Sequence, residues 1–341
     1  MLDHQRIVGC LLGGAVGDSI GLPYEGLSRA RIAARLGDGP LEHALFAGRG
    51  MLSDDTEHAC MTAQALLAAP GDPDAFARAL ARRLRWWLFA LPAAVGPSTL
   101  RAILRMWLGA GPERSGVHSA GNGPAMRAAI LGVCLGPDRL EPFVARSTRL
   151  THTDPRALAG ALAIARCAAA IAHTDRPPRQ IITDLRAASD DHELASALEL
   201  ALMHHARGDA PERYACSLGQ VTGVTGYIHH TVPVALYCWL THPRDVRAAI
   251  ESAVRLGGDT DTVAAIVGNL VGTSAPASIP STWLTHLNDA PRSVAWIRRL
   301  GEHLATGRAP LPLAWPLVPL RNLAFLIIVL AHGFARLLRL R

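Results

Sequence analysis

Two short acidic segments carry the most distinctive chemistry in this sequence. The first is Ser53-Asp54-Asp55-Thr56, followed by apolar text through Ala59, Met61 and Leu66. The second is Gly257-Gly258-Asp259-Thr260-Asp261-Thr262, followed by Val263, Ile266 and Val267. Each reads as a helix start. Each also has a plain explanation, because Ser, Asp and Thr cap helix N-termini and acids suit the positive end of the helix dipole. A cap needs one oxygen, however, and here carboxylates crowd together at a repulsive cost. The helices that follow are strongly apolar, so both starts are expected to point inward. Close carboxylates in an interior want a cation between them. Carboxylates and hydroxyls are hard donors, better suited to Mg²⁺, Mn²⁺ or Ca²⁺ than to Zn²⁺ or Cu²⁺. Two Asp and a hydroxyl from each side can hold two ions, which polarise phosphate or sugar oxygens and orient a water.

Three further segments belong to the same reading. In Gly13 to Gly26, glycines allow close backbone approach, and Glu25 is expected to leave the closing turn and enter the site. In Ser119-Ala120-Gly121-Asn122-Gly123-Pro124, small residues lead towards a helix and leave backbone N–H groups free to face a phosphate. A lone glycine loop of this kind is a weak signal, and an ordinary turn is the more frequent explanation. Thr151-His152-Thr153-Asp154-Pro155 is another helix start, and a histidine in such a place is more often structural than catalytic.

The elements that must position these residues are helices. Phe76, Leu80, Leu84 and Leu88 recur every four residues, as do Leu194, Leu198 and Leu202. Leu100, Ile103, Leu104 and Trp107 recur at three and four, which places them on one helix face. Alanine fills much of the remainder. Breaks fall at Pro70 to Pro73, Gly109 to Gly116, Pro177-Pro178, Gly208 to Pro211 and Pro276 to Pro280. Strand-like alternation is scarce. The expectation is an all-α protein: roughly a dozen helices in one compact orthogonal bundle over residues 1–310, then a Pro-rich connector and a last amphipathic helix from about Arg321, within 311–341.

Composition supports a packed core. The chain has 341 residues, half of them hydrophobic and only 18% charged, which excludes intrinsic disorder as its main state. The net charge is +6, and every basic residue is arginine. The arginines are scattered rather than interleaved with aromatics, so specific nucleic-acid binding is not expected. Six cysteines lie far apart without a CxxC, which fits reduced core residues in a cytoplasmic protein. Ile7-Val8-Gly9-Cys10 is preceded by Asp3 and Arg6, so a lipoprotein signal is not expected. Leu323 to Ala331 is a nine-residue apolar run, against about 20 residues for a span. It is expected to dock on the protein's own core, with an interfacial membrane helix as the second reading.

Taken in order, GGAVGDSIGLPYEG, SDDTEHACM, SAGNGPAMR, THTDP, TGYIHHTVPVALYCW and LGGDTDTVAAIVGNLVG resemble the ADP-ribosylglycohydrolase family. The resemblance runs from about Leu11 to Gly272. It implies an orthogonal helical bundle with two divalent cations, Mg²⁺ or Mn²⁺. It also implies hydrolysis of the bond between ADP-ribose and a modified side chain or related acceptor. Motif by motif, it makes Ser53, Asp54, Asp55, Asp259, Asp261 and Thr262 metal ligands, with Asp261 as the bridge. Ser53 stands where the family often has Thr and keeps the hydroxyl. Glu25, Asp55 and Asp261 become the catalytic carboxylates. Gly121, Asn122 and Gly123 would lie near the diphosphate and ribose, His152 near the ADP-ribose, and Tyr227 near the adenine. Some arginine-specific relatives carry an acid in the stretch matching Ala94 to Thr99. This chain has Ala94 and Val95 there, which argues against arginine as the acceptor.

Two other readings compete. One is a non-catalytic ADP-ribose-binding protein of the same fold, against which stands the full set of candidate ligands. The other is an isoprenoid-type Mg²⁺ enzyme, but its D-D-x-x-D pattern would end in an acid where this chain has His58. The expected partner is an ADP-ribosylated protein or small ADP-ribosyl compound, and the expected state is a monomer.

Overall fold

The computed structural model describes residues 3–93 and 95–338. Among them are seventeen α-helices and no named strand. In chain order these are α1 (His4–Gly21), α2 (Arg29–Leu36), α3 (Asp54–Ala68), α4 (Pro73–Phe89), α5 (Pro97–Trp107), α6 (Ala129–Leu135), α7 (Leu140–Arg149), α8 (Pro155–His173) and α9 (Pro178–Ala187). There follow α10 (His192–Ala206), α11 (Pro211–Ser217), α12 (Ile228–Thr241), α13 (Val246–Arg255), α14 (Thr260–Ser274), α15 (Ser281–His286), α16 (Val294–Thr306) and α17 (Leu317–Leu338). The all-α expectation is met. The estimate of a dozen was low because short helices such as α11 and α15 contribute too few turns to show a period.

The pair α1 and α14 forms the centre, and glycine spacing explains how. Gly9, Gly13, Gly17 and Gly21 lie four apart, on one face of α1. They meet Gly272, Gly268, Ala264 and Thr260 of α14, taken in reverse order, so the helices run antiparallel. A Cβ on Gly13 would stand 2.1 Å from the Gly268 carbonyl oxygen, and one on Gly17 would stand 2.1 Å from that of Ala264. Only bare backbone lets the two helices approach so closely. The antiparallel sense brings the C-terminal end of α1, with Asp18, beside the N-terminal end of α14, with Asp259 and Asp261.

The helix caps follow the sequence. Asp3, Ser53, Asp72, Asp154, Asp191, Asp245 and Ser293 each accept a backbone N–H at a helix start. On α4, Phe76, Leu80 and Leu84 are buried as the spacing predicts. On α5 the expected single apolar face is split. Thr99, Ala102, Ile103 and Met106 face the core, while Leu100, Leu104 and Trp107 are exposed. Apolar residues cover most of the α5 surface, so their spacing alone did not mark the buried side.

The last helix also departs from expectation. It begins at Leu317, with Pro319 accommodated in its first turn, and spans 22 residues. Three helical stretches are long and apolar enough to cross a membrane: His4–Tyr24, Pro155–His173 and Leu317–Phe334. The first is wholly buried in the protein, but only 22% of the third is. The core-docked reading therefore holds for one side of α17 alone. On that side Val318, Arg321, Asn322 and Phe325 are buried, and Phe325 meets Leu22 and Leu45.

Candidate active site

Four loops converge at the junction of α1, α3 and α14, and backbone hydrogen bonds stitch them together. Gly26 N–H donates to the Gly258 carbonyl (2.8 Å), and Gly258 N–H donates to Leu27 (2.8 Å). Asp259 N–H donates to Val224 (2.8 Å), and Asn122 N–H to Gly226 (3.0 Å). Gly257 and Gly258 have φ of 74° and 86°, a left-handed turn that aims Asp259 and Asp261 away from α13 and into the junction.

The first acidic cluster is held from beneath by a residue to which the sequence reading gave no role. Asp18, fully buried on α1, accepts hydrogen bonds from Ser53 N–H (3.0 Å), Thr56 N–H (3.2 Å) and the Thr56 hydroxyl. It thus caps α3 from a neighbouring helix. Burial pushes its carboxyl up to about 6, against the lowering effect of those hydrogen bonds. A single acid within an otherwise glycine-rich apolar helix was the available signal.

Ser53 caps α3 and donates to Asp55 Oδ2 (3.2 Å); the Thr262 hydroxyl donates to the same oxygen (3.2 Å). That contact joins the two acidic segments directly. The other carboxylate oxygen of Asp55, Oδ1, is buried with no hydrogen-bond partner. Burial, reinforced by the charges of Asp54 and Asp18, raises the Asp55 carboxyl well above the usual carboxylate range. Burial and the charges of Glu25 and Asp55 do the same for Asp261. Asp54 is pushed up to about 8, first by burial and then by Asp18, Glu57 and Glu25. Three acids forced towards their neutral forms by burial and by one another constitute a site of strong negative potential.

These groups face a cavity of about 440 Å³. Glu25, Asp54, Asp55, Asp259, Asp261 and Thr262 form its acidic wall. Gly121, Asn122, Gly123, Met126, His152 and Gly226 form a second wall, and Val95 to Thr99 a third. Ala94 lies outside the described residues. Ser53 stands behind Asp55 rather than in the wall. Asn122 bridges two walls, donating to Asp259 Oδ2 (2.6 Å) and to the Thr231 hydroxyl (3.0 Å). Tyr227 is not part of the lining. Its hydroxyl meets Glu193 (2.9 Å) and Arg156 (3.3 Å), while its backbone pairs with Gly121.

His152 is braced from behind. The buried Arg127 guanidinium donates to the Thr151 hydroxyl oxygen (2.7 Å), which stands 2.9 Å from His152 Nδ1. Burial, with the Arg127 charge, lowers the imidazole to about 3, so the ring is neutral at physiological pH. When the Thr151 hydroxyl, already accepting from Arg127, donates to Nδ1, the ring proton lies on Nε2. Cβ atoms at Gly121 and Gly123 would stand 3.1 Å and 3.2 Å from this ring, so both positions keep the wall open.

Among the described residues no three His, Cys, Asp or Glu side chains form a ready-made ion cage. The donor set is instead mixed: carboxylates with the Ser53 and Thr262 hydroxyls. The buried, unpartnered Asp55 Oδ1 and the mutual repulsion of Asp54, Asp55 and Asp261 fit hard divalent cations.

An all-α fold with a central glycine-packed helix pair and an acidic cavity at its end defines the class. The sequence pattern of the ADP-ribosylglycohydrolase family matches residues 2–311. A protein of Archaeoglobus fulgidus, described only as uncharacterized, is 32% identical over 313 residues, covering 89% of this chain and 95% of that one. The ADP-ribosyl-[dinitrogen reductase] glycohydrolase of Rhodospirillum rubrum is 30% identical over 296 residues, covering 84% and 91%. A solved structure titled ADP-ribosylglycohydrolase-related protein complex superposes with a TM-score of 0.68 at 28% identity, covering 89% of this chain and 98% of its own. The chain belongs to the ADP-ribosylglycohydrolase family, whose named members are hydrolases of ADP-ribose linkages.

Proposed function

We propose that this protein releases ADP-ribose from a mono-ADP-ribosylated side chain or a small ADP-ribosyl compound, using two divalent cations, Mg²⁺ or Mn²⁺. The observation that carries the reading is the meeting of the two acidic segments at the Asp55–Thr262 contact, in the wall of a cavity that Asn122 and His152 also line. Asp54, Asp55, Asp259 and Asp261, with Ser53 and Thr262, are the groups that would hold the ions. When bound, such ions polarise ribose and phosphate oxygens and lower the proton affinity of water.

The chain's own residues supply the rest. Asp18 fixes the entry of α3, and so the direction of Asp54 and Asp55. Asn122 holds Asp259 through its amide. His152, neutral and protonated on Nε2, donates a hydrogen bond to a ribose or phosphate oxygen. Glu25 is exposed and lies in the wall, which suits it to exchange a proton between the reacting centre and solvent. Glycosidic cleavage passes through an oxocarbenium-like state, and surrounding carboxylates favour that positive charge. The third wall offers Ser98 and Thr99 hydroxyls and no carboxylate in its described part. That favours an acceptor other than a guanidinium.

The test is release of free ADP-ribose from serine-linked and arginine-linked ADP-ribosyl peptides, with Mg²⁺, Mn²⁺ or chelator. Metal-dependent release, absent in Asp54→Asn and Asp261→Asn and faster from the serine-linked peptide, is expected. Equal rates in chelator would remove the cations from the reading. ADP-ribose binding with no release from any ADP-ribosyl substrate would favour the binding-only alternative.

A further inference from the structure

The surface around α17 carries more apolar area than its own fold uses. Leu320, Leu323, Ile327, Leu330 and Phe334 recur at three and four along one face and are 58–66% exposed. The face does not stop at the helix. Trp315, just before it, packs edge-on to Trp86 (5.6 Å) and stacks on Phe89 (6.4 Å). Both of these meet Trp107 of α5 (6.1 and 6.4 Å). Trp86, Phe89, Leu91, Trp107 and Leu108 are between 45% and 87% exposed. An apolar surface of this extent marks a docking face.

Charge identifies the occupant. The described residues of the surface come from two sequence segments, 75–112 and 303–341, whose sequence contains eleven arginines and no Asp or Glu. The rest of the chain has 23 arginines against 28 acids, a net charge of −5, so the excess of positive charge lies in these two sequence segments, Arg321 among them being paired with Asp289. Arg82 is exposed and lines a cavity with Trp86 and Trp315, Arg101 and Arg105 are exposed on α5, and the Arg85 guanidinium lies 5.6 Å from the Trp107 ring centroid. The acids that flank these segments are Asp72, Asp74, Glu113 and Glu302, of which the first three are engaged by Arg78, Arg146 and Arg114. Indole rings beside arginines, next to an exposed leucine-rich helix face, match the chemistry of a bilayer interface with anionic headgroups.

A second copy of the chain fits less well. A two-helix seam is narrow and carries charged flanks, whereas the positions beside this stripe are Ala324, Leu326 and Ala331, all exposed. An upright span also conflicts with the anchoring of the opposite face. Asn322 donates to the Ala90 carbonyl (2.8 Å), Arg321 pairs with Asp289, and the His332 ring meets the Pro23 carbonyl (3.2 Å). Standing the helix upright would expose a buried ion pair. We infer that α17 and the Trp86–Trp107–Trp315 cluster form one docking face on which this protein lies flat against an anionic lipid bilayer.

The test is co-sedimentation of the full chain with vesicles of phosphatidylcholine alone and of phosphatidylcholine with phosphatidylglycerol. Binding to the anionic vesicles, weakened by salt and at least about tenfold weaker to the neutral ones, is expected. Ile327→Glu with Leu330→Glu changes two exposed side chains, so its fold is retained, as an unchanged thermal melt will verify. It should reduce the bound fraction about tenfold or more. Arg82→Gln with Arg101→Gln should weaken binding to anionic vesicles only. No sedimentation with either vesicle would overturn the inference. So would undiminished binding by the glutamate variant, or a stable dimer in solution that this variant converts to monomer.

Discussion

Replacing Asp54 by asparagine should stabilise the cation-free protein at neutral pH, although it removes a proposed ligand. Asp54 is pushed up to about 8 by burial and by Asp18, Glu57 and Glu25. A carboxyl whose folded value is raised holds a proton that the unfolded chain has released. Its effect is absent below the ordinary carboxylate range, and stability is lost as pH rises from there to about 8. Between that range and neutrality lie about three pH units at about 1.4 kcal/mol each, a ceiling of about 4 kcal/mol. Asp55 and Asp261 share the same protons, so one substitution recovers roughly half, about 2 kcal/mol. For a chain of this size that is about 3 °C in melting temperature.

The assay is thermal melting of parent and Asp54→Asn in chelator, near pH 5 and near pH 7.5. Comparing the two proteins cancels the titration of His58 and His152. The variant should melt about 3 °C higher near pH 7.5 and only about 1 °C higher near pH 5, where the loss that begins at the ordinary carboxylate value has barely started. Adding Mn²⁺ or Mg²⁺ should then raise the parent more than the variant. A variant that melts lower than the parent in chelator at neutral pH would refute the reasoning, because Asp54 would then be satisfied by protein contacts alone. A pH-independent difference would refute it as well.

Other consequences are equally direct. Gly13→Val places a side chain against the Gly268 backbone and should cost at least about 3 kcal/mol, read as loss of soluble expression or a large drop in denaturant midpoint. Arg321→Met leaves Asp289 charged and unpaired in a buried position and should cost about 3–5 kcal/mol in a denaturant titration. Asn122→Ala removes the amide that holds Asp259 and should lower hydrolysis about 10–100-fold with little change in melting. His152 is held down to about 3, so its contribution to stability is full above its unfolded value and is lost as pH falls from about 6.5 towards 3. His152→Gln should therefore flatten part of the acid side of the stability–pH curve while lowering ADP-ribose affinity by calorimetry.

What the sequence disclosed, and what it hid, divides along physical lines. The two acidic segments were legible because carboxylates at the starts of apolar helices are locally costly, and a local cost is visible in a local pattern. Asp55, Asp261, Asn122 and His152 share one cavity for that reason. Asp18 went unread because its work is done at a distance of 35 residues, capping α3 through Ser53 and Thr56. Tertiary caps leave no spacing signature. The α1–α14 contact was half legible: each glycine-rich stretch invites close packing, but only the fold matches Gly13 to Gly268 and fixes the antiparallel sense. The last helix misled for the opposite reason. Periodicity reports that an apolar face exists and is silent on what covers it, so Leu323, Ile327 and Leu330 resembled core residues. Arg321 and Asn322 belong to the true packing face, where a buried ion pair and an amide anchor the helix beside Leu52, the residue preceding Ser53. Arg321 and Asn322 thus dock this helix together with Val318 and Phe325, while Leu320, Leu323, Ile327, Leu330 and Phe334 face outward, a division that a hydrophobic pattern cannot reveal and a bilayer interface would explain.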